Sequence, residues 1–371
     1  MVTAYLRSIY KSFATNIIDV PPRLLSLLCF LLLLFLPVTR PVEFLLFVLT
    51  TTNIIAIFAV SWDLLAGRCG QMSLGHALFF GIGAYTTALL FKFYGLPLWV
   101  TIPAGMLVGV LIAVLVGFPS LRMKGPFLAL VSLAFPLILI GLIFYFRDVT
   151  GGENGIWGLP SLFPMEFFIE RGVPYFEALY QQKIAQYYLT LLLLCVSAII
   201  LYKIAYSKTG IVFISILDDE LASKACGINV TKYKLMAFAI SALFASLAGG
   251  VQAHFITAVD PGGSLSVTLS FLPVIMAIFG GIGTIYGPVA ATFIITILDM
   301  YILRTIIDVP LEWHPLIFIT IVVVFIVKRP RGVGRFVTDK LEDLAEEREL
   351  EERGPHIWKK YKRKKESTLE G

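Results

Sequence analysis

The sequence predicts an all-α polytopic membrane protein with about ten transmembrane helices, and three observations carry that expectation. Hydrophobic residues make up 58% of the chain and charged residues 15%, with a mean hydropathy of +0.85, far from what a soluble globular chain shows. Apolar runs recur so closely along the 371 residues that no room is left for an independent soluble core. Lys and Arg gather at the two ends and in alternate loops instead of being spread evenly.

A hydrocarbon core about 30 Å thick takes about 20 apolar residues in a helix. By that rule ten spans fall at 24–38, 42–62, 73–94, 97–118, 126–146, 184–205, 235–256, 266–282, 286–303 and 313–328. The first run, LLSLLCFLLLLFLPV after Arg23, has the make-up of a signal-peptide core, yet no small-x-small cleavage site follows, so it is read as a span. The stretch 266–303 is too long for one helix and is interrupted by GGIGTIYGP; it is divided into two spans, with a re-entrant pair as the alternative.

Orientation follows from the charges. With both termini and the loops after the second, fourth, sixth and eighth spans placed in the cytosol, 24 of the 30 Lys and Arg lie in or border cytosolic segments, Lys203 and Lys328 among them. The other six, Arg40, Lys92, Arg147, Arg171, Lys183 and Arg304, are scattered outside. The expected organisation is a cytosolic interfacial segment at 1–23, a transmembrane domain at 24–328 and a charged cytosolic tail at 329–371, all at the cell inner membrane. Within the domain, 147–183 is the extracellular loop and 206–234 a cytosolic loop. In the first segment Leu6, Ile9, Tyr10, Phe13 and Ile17 recur at helical spacing beside Arg7 and Lys11, which suits a helix lying in the inner interface. The tail carries KKYKRKK at Lys359 to Lys365, for which membrane lipid, not nucleic acid, is the expected partner.

The chemistry is limited by what the chain carries. No GxxxxGK[ST] phosphate-binding loop is present, and the glycines of GGIGTIYG have no lysine beside them, so ATP hydrolysis, if it drives the protein, resides in another chain. Ion-coupled transport favours ionisable groups near mid-span, whereas Glu43, Asp63, Lys92 and Asp299 fall near predicted ends. An enzyme needs convergent groups at one depth, and His76, His254, His314 and His356 are widely separated. The cysteines Cys29, Cys69, Cys195 and Cys226 form no CxxC pair, so neither a disulfide framework, a metal site nor a cofactor is expected.

Three segments stand out. GRCGQMSLGHALFFGIGAYTTALL opens a span with glycines and polar groups, which a membrane tolerates only where protein or a water-filled cavity satisfies the backbone. Its Ser73, His76, Phe80, Gly83 and Thr87 form one small-and-polar stripe that either lines a pathway or makes a close helix contact. Gln71, Ser73 and His76 are the pathway candidates here, with no metal role for a lone histidine. On the outer side DVTGGENGIWG pairs glycines that permit a turn of positive φ with hydrogen-bonding groups, making Thr150, Gly151, Gly152 and Asn154 candidates at a pathway mouth, although an ordinary polar loop has the same composition. The cytosolic loop SKTGIVFISILDDELASKACGINVTKYK carries Asp218, Asp219 and Glu220 where a helix begins, Leu221, Ala222 and Ala225 in its body and Gly227 at its end. A short surface helix with a small-residue centre suits a mechanical joint to a motor subunit.

With these residues in hand, the chain resembles the branched-chain amino acid permeases of ABC importers, in particular the larger, M-type subunit. The likeness runs from about residue 50 to about residue 335 through GRCGQMSLGHALFFGIGAYTTALL, GPFLALVSLAF, TGGENGI, DDELASKACGINVTKYKLMAFAISALFASLAGG and GGIGTIYGP, and ends in RPRGVG. The resemblance implies a complex with a second, H-type permease, two ATP-binding subunits and an extracytoplasmic amino-acid-binding protein. It makes the cytosolic loop the coupling helix, with Asp219, Glu220, Ala222, Ala225 and Gly227 as the ATPase-coupling residues. Against the EAAxxxG motif of importer permeases, Ala222 and Gly227 match while Leu221 and Ser223 depart, and Ile211 and Leu217 stand where the family tends to carry arginines. Relatives carrying urea, amides or aromatic acids leave those substrates open, and an ion-coupled secondary transporter is the remaining alternative.

Overall fold

The computed structural model describes residues 33–120, 123, 126–306 and six single positions between 310 and 324. The chain divides into two units, 42–333 and a second made of 1–41 with 334–371. Of the second only 33–41 are described, and they hold one 3-10 turn, Leu36–Thr39. The expected interfacial segment, most of the first and last spans, and the charged tail lie outside the described residues.

Among the described residues the larger unit is all-α apart from one two-residue pairing. Its α1 runs Glu43–Asp63 and continues as π-helix over Leu64–Arg68. Next come α2 (Ala77–Tyr94), α3 (Leu98–Ser120), α4 (Pro126–Tyr145) and α5 (Tyr175–Ala205). Two short helices follow, α6 (Lys208–Asp218) and α7 (Glu220–Ala225), then α8 (Val230–Ile256), α9 (Val267–Gly280) and α10 (Tyr286–Thr296), the last continuing as π-helix over Ile297–Ile306. Among the described residues eight helical segments are long and apolar enough to cross a membrane, and they coincide with the eight spans expected between 42 and 303. The stretch 266–303 is divided as expected into two helices, packed on each other and joined by 281–285, an arrangement common to a pair of spans and to a re-entrant pair.

Boundaries differ from the expectation where polarity and helicity part company. α2 starts at Ala77, not 73, because Gly70 has φ +71 and the residues after it leave the helical path. α5 starts at Tyr175 instead of 184: YFEALYQQK is too polar for hydrocarbon but forms helix readily, with Glu177 in the favourable first turn. The loop 206–234 holds two helices where one was expected. Phe213 and Ile216 of α6 are buried, so its apolar face docks on the bundle while Ile211 stays exposed.

The core is a seam of α2, α3 and α8. Thr101, Gly105, Gly109, Ala113 and Gly117 recur every four residues on α3 and are buried. A side-chain carbon at Gly83 of α2 would collide with the Ser246 backbone of α8, one at Gly249 with the Phe80 backbone, and one at Gly109 with the Ser246 hydroxyl. Helices in lipid gain little from burying oil against oil, so close backbone approach through small residues is what joins them. The opposite face of α3 presents Leu107, Leu111 and Leu115, all exposed in the isolated chain and suited to lipid. Around this seam α1 packs on α5, α9 and α10. At the far end Ile156–Trp157 (β1) pairs antiparallel with Ala258–Val259 (β2), tying the loop after α4 to the end of α8.

Candidate functional site

The expected pathway residues form two groups, one at each end of α2. Gln71, Ser73 and His76 precede it and are buried. Thr150, Gly151, Gly152 and Asn154 lie by its last turn, where Lys92 donates to the Val149 carbonyl at 3.0 Å. From His76 to Lys92 the helical rise of about 1.5 Å per residue amounts to about 24 Å, so the two groups do not share one site.

The first group is knitted to its neighbours. Trp62 Nε1 of α1 donates to the Ser73 carbonyl at 2.7 Å, and Gln71 Nε2 to the Cys69 carbonyl at 3.1 Å. His76 Nε2 lies 2.9 Å from Ser61 Oγ and 3.5 Å from Ser241 Oγ, with its ring stacked on Phe58. Ser61 and Ser241 each give their hydroxyl proton to a backbone carbonyl, at 2.7 and 2.6 Å. Both hydroxyls therefore accept from the imidazole, which assigns the proton to Nε2. Nδ1 finds no partner among the described residues. His76 thus binds α1, α2 and α8 together, while Gly83 and Thr87 of the same stripe make the close helix contacts: Thr87 Oγ1 donates to the Thr101 carbonyl of α3 at 3.2 Å.

The second group is a compact turn. Thr150 Oγ1 lies 2.7 Å from the Ile143 carbonyl and accepts the Gly152 N–H at 3.2 Å. Gly151 and Gly152 both have positive φ, as the paired glycines suggest, and Asn154 is exposed. Nearby, Lys183 of α5 pairs with Glu43 at the start of α1.

The loop 206–234 has the most defined geometry. Asp219 caps α7 by accepting the N–H of Leu221 at 2.7 Å and of Ala222 at 3.1 Å. At the other end Gly227, φ +82, lets its own N–H reach the Lys224 carbonyl and the Ile228 N–H reach that of Ser223, a Schellman closure. Ala222, Ala225 and Leu221 face outward while Ser223 is buried. Glu220 binds Lys224 one turn on at 2.9 Å and Lys234 of α8 at 2.7 Å. Burial alone would raise the Glu220 carboxyl, but the hydrogen bonds and charges of Lys234 and Lys224 outweigh it and lower the pKa to about 2.

A further constellation has no counterpart among the expected site residues. Asp63, a charge near the predicted end of its span, is fully buried and accepts the N–H of Gly283 at 2.6 Å and of Ile285 at 3.0 Å. Ile285 has φ +66 and ψ −51, and the Tyr286 N–H reaches back to the Thr284 carbonyl at 2.8 Å. This is a γ-turn with positive φ at a β-branched residue, a conformation that costs about 1–3 kcal/mol.

The profile of the family described as "Branched-chain amino acid transport system / permease component" matches residues 44–327. The chain is 33% identical over 260 residues to the high-affinity branched-chain amino acid transport system permease protein LivM of Salmonella typhimurium, and 32% identical over the same length to LivM of Escherichia coli K12. Each alignment covers 67% of this chain, which spans about three fifths (61%) of the length of those relatives. LivH of Salmonella typhimurium is 22% identical over 259 residues, covering 66% of this chain and 80% of that protein. No solved structure matches.

Proposed function

From the chain's membership of the branched-chain amino acid transport system permease component family, we propose that it is the membrane-spanning permease subunit of an ATP-driven importer of branched-chain amino acids. It is a multi-pass protein of the inner membrane. In this reading both termini face the cytosol, a second permease completes the path, two separate ATP-binding subunits supply the energy, and an extracytoplasmic binding protein delivers the substrate.

The observation that carries the proposal is α7: a short helix, capped at both ends and held on α8, that turns Leu221, Ala222 and Ala225 outward between two spans. Such a helix transmits force only if it is held firmly and is accessible, and its caps, its ion pair to α8 and its exposed residues support both. Its small residues leave room for another protein's groove. The division of labour fits the absence of any phosphate-binding loop. Gln71, Ser73 and His76 at one end of α2, and Thr150 to Asn154 at the other, lie near the inner and outer ends of the path in this orientation.

The test is reconstitution. Proteoliposomes holding the complex that assembles around this chain are expected to accumulate labelled L-leucine on addition of ATP and binding protein, while the purified chain alone neither binds nor hydrolyses ATP. Uptake driven by an ion gradient without ATP overturns the assignment.

A further inference from the structure

The inner end of α1 is where two otherwise separate parts of the chain meet. Asp63 closes the α-helical part of α1, and its two carboxylate oxygens each hold a different backbone amide of the 281–285 loop that joins α9 to α10. One turn on, Gly67 lies so close to the Gly283 backbone that a side chain would not fit between them. Gly70, just past the π-helical stretch, lies against Leu217 at the end of α6, the helix that leads into α7. Within eight residues α1 therefore touches both the α9–α10 loop and the segment bearing the candidate coupling helix.

The loop is not at rest in a low-energy turn. Ile285, whose branched side chain disfavours positive φ, sits at the centre of a γ-turn, and the Asp63 carboxylate holds the amide of that same residue. A strained turn persists only where its surroundings over-determine it, and release of the amide relieves the strain as it gives up the hydrogen bond. Two opposed contributions of similar size are what allow two arrangements to exchange. The helix on the Asp63 side is π-helical over Leu64–Arg68, a geometry that absorbs a change of register between its two ends.

We propose that Asp63 is a positioning residue, a latch that holds the α9–α10 pair in one of two arrangements and releases it when the α6–α7 segment moves against Gly70. The proposal rests on reading the chain as an importer permease.

The experiment uses the whole complex in proteoliposomes, comparing the wild type with Asp63→Asn and Ile285→Gly. Two quantities are read: ATP hydrolysis without binding protein, and L-leucine imported per ATP consumed. Asp63→Asn keeps the shape but turns an NH2 group toward one of the two amides, so hydrolysis without binding protein rises by about tenfold, the effect of losing one hydrogen bond to a charged acceptor, and leucine per ATP falls. Ile285→Gly keeps the amide and removes the strain, so the latched arrangement is favoured and the same hydrolysis falls about fivefold or more. A residue that only supports packing lowers uptake and hydrolysis by a common factor and leaves their ratio unchanged. That result for Asp63→Asn, beside normal wild-type uptake, overturns the latch alone. If Asp63→Asn does not assemble, Ile285→Gly decides: lowered hydrolysis supports the latch, and unchanged hydrolysis overturns it. No ATP-driven leucine uptake by the wild-type complex overturns the functional reading and the latch with it.

Discussion

Glu220 and Lys234 meet at 2.7 Å, and through that ion pair the surface helix α7 is fastened to the first turns of α8. The Lys234 side chain is almost fully buried, and a buried charged group that loses its partner is costly. Glu220 also holds Lys224 within α7, so a single carboxylate stiffens the helix and docks it.

Glu220→Gln is expected to lower the stability of the detergent-purified chain by on the order of 1–3 kcal/mol, read as a fall in thermal midpoint, with part of the loss recovered when Lys234→Met is added. The pH dependence has a definite sign. Because the folded pKa is depressed from 4.5 to about 2, the pair's contribution is fully present above pH 4.5 and is lost as the pH falls toward 2. Between pH 5 and 8 the melting difference between wild type and Glu220→Gln is expected to be flat, and it should shrink in acid; a difference that changes near neutrality contradicts the pairing.

Gly227→Val meets no neighbour, since a side-chain carbon there has nothing within 4 Å, so its cost comes from the backbone at φ +82. That cost is roughly 1–2 kcal/mol, and it redirects the chain leaving α7. Ala222→Trp leaves the backbone alone and overfills whatever seats α7. Both variants are expected to reach the membrane, and both to lose leucine uptake together with substrate-stimulated ATP hydrolysis in proteoliposomes. Normal uptake by well-expressed variants would falsify the coupling role of this loop.

Three glycine-to-alanine changes are expected to fall in a fixed order of stability. Gly83→Ala drives a methyl into the Ser246 backbone and should cost about 1–3 kcal/mol or more. Gly109→Ala meets the Ser246 side chain, which can yield by giving up its hydrogen bond to the Phe79 carbonyl where backbone cannot, and should cost less. Gly141→Ala of α4 has open space around it and should be neutral or gain up to about 1 kcal/mol of helix propensity. Thermal melting of the three in one detergent checks the order.

Reporter fusions test the orientation. Insertions within 208–232 are expected to read as cytosolic and one near residue 170 as external; the opposite result at 170 reverses the arrangement proposed for the membrane.

Hydropathy made the eight described spans legible because each is a local run of apolar residues, and capping chemistry made the ends of α7 legible because Asp219 and Gly227 act within a few residues of themselves. What escaped depends on partners far along the chain. Asp63 has the look of a charge at the end of a span, yet its partners are about 220 residues away, and no local pattern announces a buried carboxylate that binds a loop. The γ-turn at Ile285 was hidden for the opposite reason, since a β-branched residue argues against positive φ. Lys234 reads as one more cytosolic lysine until α8 is seen to begin at Val230 and carry it inward. The stripe from Ser73 to Thr87 was visible, but its spacing suits a helix contact and a pathway lining equally.

The seam on α3 gives its two faces different freedoms to drift. Leu107, Leu111 and Leu115 answer only to solubility in oil, so Ile, Val, Phe or Met would serve at any of them. Gly105 and Gly109, on the same helix, answer to the position of another helix's atoms: a methyl group at Gly105 fits only if its neighbours give way slightly, and at Gly109 it is already too many. A tally of apolar residues scores both faces alike. Among sequences diverging from this one, α3 should therefore keep its hydropathy while its outward letters scramble, and the four-residue beat of small residues should outlast them as the more durable signature of the fold.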